Sequence, residues 1–597
     1  MPAWIKILTL ANHHFYINHE NKELFCLYDG IFRYWIYPCF CIIRKEVTLK
    51  LIETSDVHGC YYPYDFIRRH SVQGSLARVS ALVGEMRKTY GDRLILMDNG
   101  DILQGQPVAY YYNYIDTTSV HVVADMLNYM HYDVATMGNH DIEAGHAVYD
   151  RWVSQCKFPV LGANIMDVKT GKTYLPPYKV IEREGVKVVV LGMITPAIPS
   201  WLPEQLWSGL RFEDMETSAR KWVKWIQEKE KPDVLIGLFH AGPEGNKLDD
   251  VVENGSGDVA RRVPGFDVVF MGHDHVRTCQ KIINEAGDSV LLVDPANMAK
   301  VVADVTVKVV KKDGKVIRKS VEGKLASVDR YAPDETFLKT FEKQYQATAD
   351  FVSRKIGRIN KTITTKDAYF GPSAFIDLIH QLQLDITGAD VSFCAPLSFA
   401  AEIKEGDIYV SDMFNLYKYE NMLYTMTLTG KEIKDFLEMS YAIWTNQMKS
   451  PDDHLMLLNE KDKGFGRFKN PSFNFDSAAG ILYTVDVTKP QGEKINIRSM
   501  ADGTPFRMDK MYKVAVNSYR GNGGGDLLTK GAGIPKQDLA KRIVFATEKD
   551  LRYYLMKRIE EVKILDPRPL NQWKFIPEKW VEPAAKRDYR LLFGEDR

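Results

Sequence analysis

The chain has 597 residues and a mass of 68.3 kDa, a length at which two to four domains are expected. Hydrophobic residues make up 45% and charged residues 26% of the sequence, which excludes a largely disordered or collagen-like chain. The 78 lysines and arginines balance 78 aspartates and glutamates, so no overall basic field points to a nucleic-acid polymer or an anionic membrane. Seven cysteines without a C-x-x-C spacing predict neither a disulfide scaffold nor a cysteine zinc site.

Residues 1–47 differ from the rest of the chain and show no clear strand or helix period. The apolar run from Ile31 to Ile43 is short and contains Arg33, whereas a membrane-spanning helix needs about 20 apolar residues. The segment also shows no clean export signal. We therefore expect an N-terminal extension outside the folded body and no stable membrane span.

From residue 48 to residue 330, short apolar runs alternate with segments of helical period, which predicts an α/β domain with strands inside and helices outside. Runs such as LKLIETSD, RLILMDNGD and DVLIGLFHAG are typical of buried strands. The segment SLARVSALVGEMRKTY has its apolar residues at helical spacing. The turn KKDGK then predicts a hairpin after VVADVTVKVV.

Metal-ligand side chains follow five of these apolar runs. Because ligands in open α/β sheets bind beyond the carboxyl ends of strands, we expect these side chains to meet at one rim. Two pairs of them are spaced two residues apart, which on extended segments would point both members of a pair to the same side. The seven residues are Asp56, His58, Asp101, Asn139, His240, His273 and His275.

This mixed nitrogen and oxygen set suits two divalent transition-metal ions, with zinc, manganese, cobalt and iron all left open. A carboxylate such as that of Asp101 can bridge two ions and hold them about 3.5–4 Å apart, the separation that suits phosphoryl transfer. Such a pair makes a bound water acidic enough to act as the nucleophile, so no side-chain nucleophile is required. The sequence contains neither a G-x-S-x-G nor a G-x-x-x-x-G-K-[ST] motif.

The ordered motifs D-x-H, G-D, G-N-H-[DE], H and G-H-x-H resemble those of the calcineurin-like metallophosphoesterases. The resemblance implies a four-layer α-β-β-α catalytic domain. It also implies one metal held by Asp56, His58, Asp101 and His275 and a second held by Asp101, Asn139, His240 and His273. His140 would contact the phosphate and steady the leaving group. Glu143, at the position where the family often has an aspartate, would orient His140.

Residues 331–356 form a linker that is expected to be one helix. Pro333 and Asp334 suit its start, and Phe337, Phe341 and Val352 contribute to an apolar stripe. Residues 357–597 then form a second α/β domain with its own helices and strands. This half resembles the C-terminal domain of the 5′-nucleotidase superfamily, where two rings sandwich the nucleobase. The resemblance places Tyr419 in YKYEN and Tyr519 in NSYRGNGGG at these positions.

The absence of an arginine from one segment of the second domain indicates the subfamily. Typical 5′-nucleotidases carry an N-G-G-x-x-R segment, whereas the matching stretch here, VSFCAPLSFAAEI, has no arginine. DAYFGPSAFIDLIHQLQL, CAPLSF and NSYRGNGGG instead resemble the bacterial 2′,3′-cyclic-nucleotide 2′-phosphodiesterase/3′-nucleotidases. This resemblance implies hydrolysis of 2′,3′-cyclic nucleotides to 3′-nucleotides and removal of the 3′-phosphate.

Two other functions stay open on the same scaffold. One is a 5′-nucleotidase or nucleotide-sugar hydrolase, and the other is an inactive nucleotide-binding protein. The family resemblance implies a nucleotide substrate and a location in the periplasm or at the cell surface. The balanced charge and the absence of a basic stripe oppose a nucleic-acid polymer as partner, and we expect a monomer.

Overall fold

The computed structural model describes residues 44–245, 247–248, 251–459 and 468–594, with only the backbone of 248, and it gives the backbone of four strands before residue 44. The four strands pair antiparallel in chain order. The sequence pattern gave no signal for them, and most of the remaining residues of the expected 1–47 extension lie outside the described part. The strands are β1 (Trp4–Leu10), β2 (His13–Asn18), β3 (Glu23–Tyr28) and β4 (Tyr37–Pro38).

Eighteen strands follow in the part of the chain that ends at the hairpin predicted from KKDGK. They are β5 (Arg44–Thr54), β6 (Tyr64–Asp65), β7 (His70–Ser71), β8 (Leu94–Asp98), β9 (Val134–Thr136), β10 (Val160–Leu161), β11 (Ile165–Asp167), β12 (Tyr178–Arg183), β13 (Val186–Ile194), β14 (Leu210–Phe212), β15 (Val234–His240), β16 (Lys247–Leu248), β17 (Val251–Val252), β18 (Val268–Phe270), β19 (Thr278–Ile283), β20 (Ser289–Asp294), β21 (Val301–Lys312) and β22 (Lys315–Ser327).

The helices of this first domain lie between these strands. They are α1 (Leu76–Tyr90), α2 (Pro107–Tyr110), α3 (Val122–Tyr129), α4 (Asn139–Glu143), α5 (His146–Gln155), α6 (Ile198–Trp201), α7 (Met215–Lys229) and α8 (Ser256–Arg262). Three short helical turns of 3₁₀ or π type complete the set: Gly91–Arg93, Tyr111–Ile115 and Glu204–Leu206.

Two six-stranded sheets pack face to face in this domain, with strand orders β10-β9-β8-β5-β21-β22 and β12-β13-β15-β18-β20-β19. Valine, isoleucine and leucine side chains of both sheets, such as Leu51 and Val190, fill the space between them. Separate apolar clusters pack α1, α3 and α5 on the outer face of one sheet and α7 and α8 on the outer face of the other. The expected four-layer α-β-β-α arrangement is confirmed.

The carboxyl ends of the parallel strands from both sheets meet at one edge of this sandwich. Strands β5, β8, β9 and β10 are parallel in the first sheet, and β13, β15, β18 and β20 are parallel in the second. The expected rim is therefore shared by two sheets and does not belong to one sheet alone. This geometry lets side chains from both sheets face a common space.

The linker contains two helices, α9 (Glu335–Thr340) and α10 (Glu342–Ser353), where the sequence pattern predicted one. As expected, Asp334 caps the first helix, since its side chain accepts hydrogen bonds from the amides of Thr336 and Phe337. The break lies at Phe341, whose ψ of 20° departs from the helical value. The Tyr62 hydroxyl donates to the Phe341 carbonyl at 2.8 Å, a tertiary hydrogen bond that the helical pattern cannot reveal.

The second domain has thirteen strands among its described residues: β23 (Lys355–Ile359), β24 (Ile363–Thr364), β25 (Val391–Cys394), β26 (Glu402–Ile403), β27 (Gly406–Tyr409), β28 (Met422–Thr429), β29 (Ser477–Ala479), β30 (Ile481–Asp486), β31 (Ile495–Met500), β32 (Met511–Asn517), β33 (Ile543–Asp550), β34 (Ile564–Leu565) and β35 (Trp573–Ile576).

The helices of the second domain are α11 (Ala374–Thr387), α12 (Val410–Leu416), α13 (Gly430–Trp444), α14 (Ser518–Gly521), α15 (Lys536–Arg542), α16 (Leu551–Val562) and α17 (Glu578–Phe593). Short 3₁₀ or π turns occur at Lys366–Phe370, Ser472–Asn474, Gly524–Asp526 and Leu527–Gly531. A five-stranded sheet of order β29-β25-β32-β28-β33 forms the centre of this domain.

Polar and aromatic contacts join the two domains. Arg69 donates to the Ser411 hydroxyl at 2.6 Å, and its guanidinium lies 4.4 Å from the centre of the Tyr409 ring. The Lys536 ammonium donates to the Ser200 hydroxyl at 2.9 Å. These contacts set the second domain over the edge where the parallel strands end. Among the described residues, no helix combines the length and apolarity that crossing a membrane requires.

Candidate metal centre

Asp56, His58 and His275 place their donor atoms around one point. The Nε2 atoms of His58 and His275 lie 3.0 Å apart, and Asp56 Oδ1 lies 3.2 Å from His275 Nε2 and 3.9 Å from His58 Nε2. Three ligands at about 2.1 Å from a tetrahedral ion are roughly 3.4 Å from one another. The three side chains therefore have the spacing of a metal site.

Asp101, Asn139, His240 and His273 lie around a second point. His240 Nε2 is 3.3 Å from Asp101 Oδ2 and 3.2 Å from Asn139 Oδ1, and a ligand atom of His273 lies within 4.8 Å of those of Asp101 and His240. Asp101 Oδ2 is also 4.0 Å from His58 Nε2. Asp101 consequently stands between the two groups, where a bridging carboxylate is required.

The electrostatics of these buried groups fit cations. Burial alone would raise the pKa of Asp101, but His240 and His140 outweigh burial and hold that pKa well below its usual range. Burial opposes the charged form of His240, yet Asp101 and Asp56 raise its pKa to about 10. Burial lowers the pKa of His58 to about 4, so this ring is neutral. A bound cation would displace the proton from His240, because a metal ligand must be deprotonated. Two buried carboxylates thus create a negative field that a divalent ion neutralises.

The backbone at the ligands is folded rather than extended. Asp56, His58, Asp101, His273 and His275 have φ values between 48° and 76°, in the left-handed region that ordinary residues seldom occupy. The expectation that the two spaced pairs lie on extended segments is therefore wrong. Asp56 and His58 still join the same group, but His273 and His275 join different groups because the chain turns between them. Strained backbone of this kind is concentrated at functional sites.

A glycine is required where the loops approach closely. A Cβ on Gly138 would lie 2.1 Å from Asp101 Oδ1 and 2.4 Å from the Asp101 amide nitrogen. Gly138 precedes Asn139, so the absence of a side chain here lets the β9 loop reach the Asp101 loop. The two sheet edges can therefore present their ligands to the same space.

His140 and Glu143 form the expected pair on helix α4. His140 Nδ1 lies 2.5 Å from Glu143 Oε2, and the His140 amide donates to Asp101 Oδ1 at 2.8 Å. Burial disfavours the imidazolium, but Asp101 and Glu143 outweigh burial and raise the pKa of His140 to about 9. The His140 ring lies 5.5 Å from that of His58. A charged histidine is therefore held beside the two ligand groups.

Several supporting residues were not identified from the sequence. Asp141, the last residue of the GNHD motif, accepts hydrogen bonds from the amides of Gly138, Asp101, Ile102 and Leu103 at 2.8–2.9 Å. The His240 Nδ1–H donates to the carbonyl of Asn99 at 2.6 Å, which turns Nε2 toward the site. Only the acidic residue type and the motif position could have pointed to Asp141 beforehand.

Two more polar side chains contact the ligand histidines. Gln104 Oε1 lies 3.1 Å from His58 Nδ1, and Glu253 Oε1 lies 3.0 Å from His273 Nε2. No sequence pattern distinguishes either residue from the many other polar residues of the chain.

Tyr419 and Tyr519 belong to the second domain and are both partly buried. Glu143 acts on Tyr419, since it contributes after burial to raising the pKa of that phenol to about 12. Tyr419 and Glu253 are likewise among the groups that raise the pKa of Tyr519. A Cβ on Gly524 would lie 2.5 Å from the Tyr519 ring, so the backbone of the glycine-rich segment packs closely against this ring.

Comparisons with known proteins agree with this two-part architecture. Residues 49–277 match the model of the calcineurin-like phosphoesterase family, and residues 355–530 match that of the 5′-nucleotidase, C-terminal domain. The 2′,3′-cyclic-nucleotide 2′-phosphodiesterase/3′-nucleotidase of Haemophilus influenzae is 25% identical, with 89% of this chain and 88% of that protein aligned. The trifunctional nucleotide phosphoesterase protein YfkN of Bacillus subtilis is 26% identical, and the aligned region spans 89% of this chain but 39% of YfkN.

Solved structures show the same fold. A Staphylococcus aureus protein solved in complex with alpha-ketoglutarate has a TM-score of 0.73 at 22% identity, with 89% of this chain and 100% of that chain covered. A 5′-nucleotidase precursor from Thermus thermophilus has a TM-score of 0.60 at 20% identity over the same shares. The chain therefore belongs to the calcineurin-like phosphoesterases that carry a 5′-nucleotidase C-terminal domain, and it is a phosphoric ester hydrolase of nucleotide catabolism.

Proposed function

We propose that this protein is a dinuclear-metal hydrolase that converts 2′,3′-cyclic nucleotides to 3′-nucleotides and then removes the 3′-phosphate. The observation that carries the proposal is the convergence of two groups of candidate ligands, with Asp101 between them. Aligned relatives of nearly equal length from Haemophilus influenzae and Salmonella typhimurium bear the name of this activity. The missing arginine in VSFCAPLSFAAEI favours it over a 5′-nucleotidase.

In this proposal, Asp56, His58, Asp101 and His275 hold one divalent ion, and Asp101, Asn139, His240 and His273 hold the other. When bound, the ions supply Lewis-acid activation of the phosphate and a water of lowered pKa. Zinc, manganese, cobalt and iron all suit this donor set.

His140 is the proposed acid. Hydrolysis adds water across the bond between phosphorus and the 2′ oxygen, so phosphorus gains a hydroxyl and the 2′ oxygen gains a proton. The raised pKa of His140, about 9, keeps its imidazolium charged at neutral pH, and the contact with Glu143 fixes the ring. A charged donor at this position stabilises the negative charge that develops on the leaving oxygen.

Tyr419 and Tyr519 are the proposed platforms for the nucleobase. Stacking on an aromatic ring contributes roughly 1–3 kcal/mol per base and tolerates different bases. We also propose a monomer and, from the family resemblance, action in the periplasm or at the cell surface.

The test is a comparison of 2′,3′-cyclic AMP, 3′-AMP and 5′-AMP as substrates of protein loaded with Mn²⁺ or Co²⁺. We expect the first two to be hydrolysed at least tenfold faster than 5′-AMP. Asp101→Ala should lower all rates by on the order of 100-fold or more, because loss of a metal's outer partner alone costs 10- to 100-fold. Preference for 5′-AMP would favour a 5′-nucleotidase. An absence of hydrolysis, unchanged by Asp101→Ala, would favour a nucleotide-binding protein.

A further inference from the structure

One buried arginine holds the loop that carries Tyr419. Arg552, in the first turn of helix α16, is fully buried, and its Nε–H donates to the carbonyl of Tyr417 at 3.1 Å. One Nη group donates to the Lys418 carbonyl at 2.8 Å, and the other donates to Glu420 Oε1 at 2.9 Å. A single guanidinium therefore contacts the residues on both sides of Tyr419 within the Tyr419 loop, defined as residues 417–421.

The same arginine contacts an aromatic ring from each of the two domains. Its guanidinium lies 4.1 Å from the centre of the Phe414 ring, which belongs to the second domain. It lies 5.0 Å from the centre of the Tyr110 ring, which belongs to helix α2 of the catalytic domain. Cation–π contacts with one ring from each domain, together with the three hydrogen bonds, restrict the orientation of the guanidinium.

Tyr110 also contacts the start of the helix that carries Arg552. Its hydroxyl donates to Asp550 Oδ2 at 3.1 Å, while Asp550 Oδ1 caps helix α16 by accepting from the Tyr553 amide at 3.2 Å. The Leu551 amide donates to the carbonyl of Asn421 at 2.9 Å. Both ends of the Tyr419 loop are thus attached to the start of α16, and that helix start is attached to the catalytic domain.

We propose that Arg552 is a positioning residue for nucleobase binding, which orients Tyr419 and couples it to the catalytic domain through Tyr110. The inference rests on the proposed nucleotide function, in which Tyr419 stacks on the base. Lysine cannot replace the arginine, since an ammonium is a point charge that cannot reach three acceptors fixed in the plane of a guanidinium.

The experiment separates base binding from phosphate chemistry in the full metal-loaded protein. The substrate is 4-nitrophenyl phosphate, an ester without a nucleobase, and adenosine is the competing ligand. For Arg552→Lys we expect the inhibition constant of adenosine to rise roughly tenfold. This lies within the roughly 5- to 150-fold loss of affinity that follows from losing one stacked ring. The kcat and KM for 4-nitrophenyl phosphate should change less than threefold.

Arg542→Lys is the matched control, because Arg542 likewise binds one carboxylate, that of Glu432 at 3.0 Å, and one carbonyl, that of Thr427 at 3.2 Å. It should leave adenosine inhibition unchanged. Should Arg552→Lys fail to fold, Tyr110→Phe removes only the hydroxyl on Asp550 and should raise the adenosine inhibition constant about threefold.

The inference would be overturned if adenosine inhibited Arg552→Lys or Tyr110→Phe as strongly as it inhibits the original protein. It would also be overturned if a variant lost adenosine affinity and kcat/KM for 4-nitrophenyl phosphate by the same factor. If the proposed function itself is wrong, the result differs, because adenosine would then not inhibit even the original protein.

Discussion

At the scale of single residues, the carboxylate of Asp141 positions two of the candidate metal ligands, although it is not one of the candidate ligands itself. Asp141 is fully buried and accepts four amides, among them those of Asp101 and Gly138. These amides belong to the two loops that supply Asp101 and Asn139. One side chain consequently fixes the distance between the β8 and β9 loops.

Replacing Asp141 with asparagine should therefore weaken both the fold and the metal centre. The asparagine side chain presents an NH₂ group to two amides that need acceptors, and each hydrogen bond lost to a charged group costs about 1.5–3 kcal/mol. We expect a loss of unfolding free energy of about 3 kcal/mol, measured by urea unfolding, and at least tenfold weaker Mn²⁺ binding by calorimetry. Asp125→Asn, an exposed change in helix α3, should stay within about 0.5 kcal/mol. Equal behaviour of the two variants would contradict this role.

The seven proposed ligands could be named from the sequence, because each follows an apolar run and carries a side chain that binds metals. Asp141, Glu253 and Arg552 could not be named in the same way. Their roles depend on which distant backbone groups lie opposite them, and a local pattern contains no such information. The left-handed backbone at Asp56 and His273 was also invisible, since both residues are usually found in other conformations.

At the scale of elements, apolar periodicity predicted the strands and helices of both domains but not how tertiary contacts change them. The linker stripe of Phe337, Phe341 and Val352 is buried as expected, yet the helix breaks at Phe341, whose carbonyl also accepts a hydrogen bond from the Tyr62 hydroxyl. The sequence pattern also could not show which strands share a sheet, because β5 and β15 have similar apolar runs but belong to different sheets.

Two elements depend on buried neutral histidines, which predicts loss of stability in acid. His380 on helix α11 lies between the hydroxyls of Ser392 and Ser477, and burial lowers its pKa to about 3. His121 accepts the Val123 amide at the start of helix α3, and burial lowers its pKa to about 3 as well. Each unfolded histidine titrates near 6.5, so between pH 6.5 and 3 the unfolded chain binds more protons than the folded chain.

The stability from each histidine is therefore complete above pH 6.5 and declines as the pH falls, by about 1.4 kcal/mol per pH unit. At pH 4.5 each should have lost about 2.7 kcal/mol of unfolding free energy relative to pH 7.5. His380→Gln should flatten the pH dependence of urea unfolding by that amount, whereas His131→Gln, an exposed change, should leave it unaltered. A pH dependence that His380→Gln does not change would show that another group controls acid unfolding.

At the scale of the whole molecule, the proposed base platforms and the metal-ligand groups belong to different domains. Among the described residues, Arg69 joins the domains through Ser411 and Tyr409. Tyr110, beside Phe351 of the linker, joins them through Asp550 and Arg552. These contacts are polar or aromatic. Interfaces of this kind permit relative domain motion. We expect the domains to rotate between an open form that exchanges nucleotide and a closed form that hydrolyses it.

Locking the interface should then slow turnover. Arg69→Cys and Ser411→Cys, introduced where the two side chains meet, can be joined by a short, reducible thiol cross-linker after Cys26, Cys39, Cys41 and Cys279 are replaced by serine. We expect the cross-linked protein to hydrolyse 3′-AMP at least tenfold more slowly, because the trapped form cannot open to exchange product for new substrate. Reduction should restore the rate, and each single-cysteine variant treated in the same way should keep it. Unchanged turnover in the cross-linked protein would show that hydrolysis needs no rotation at this interface.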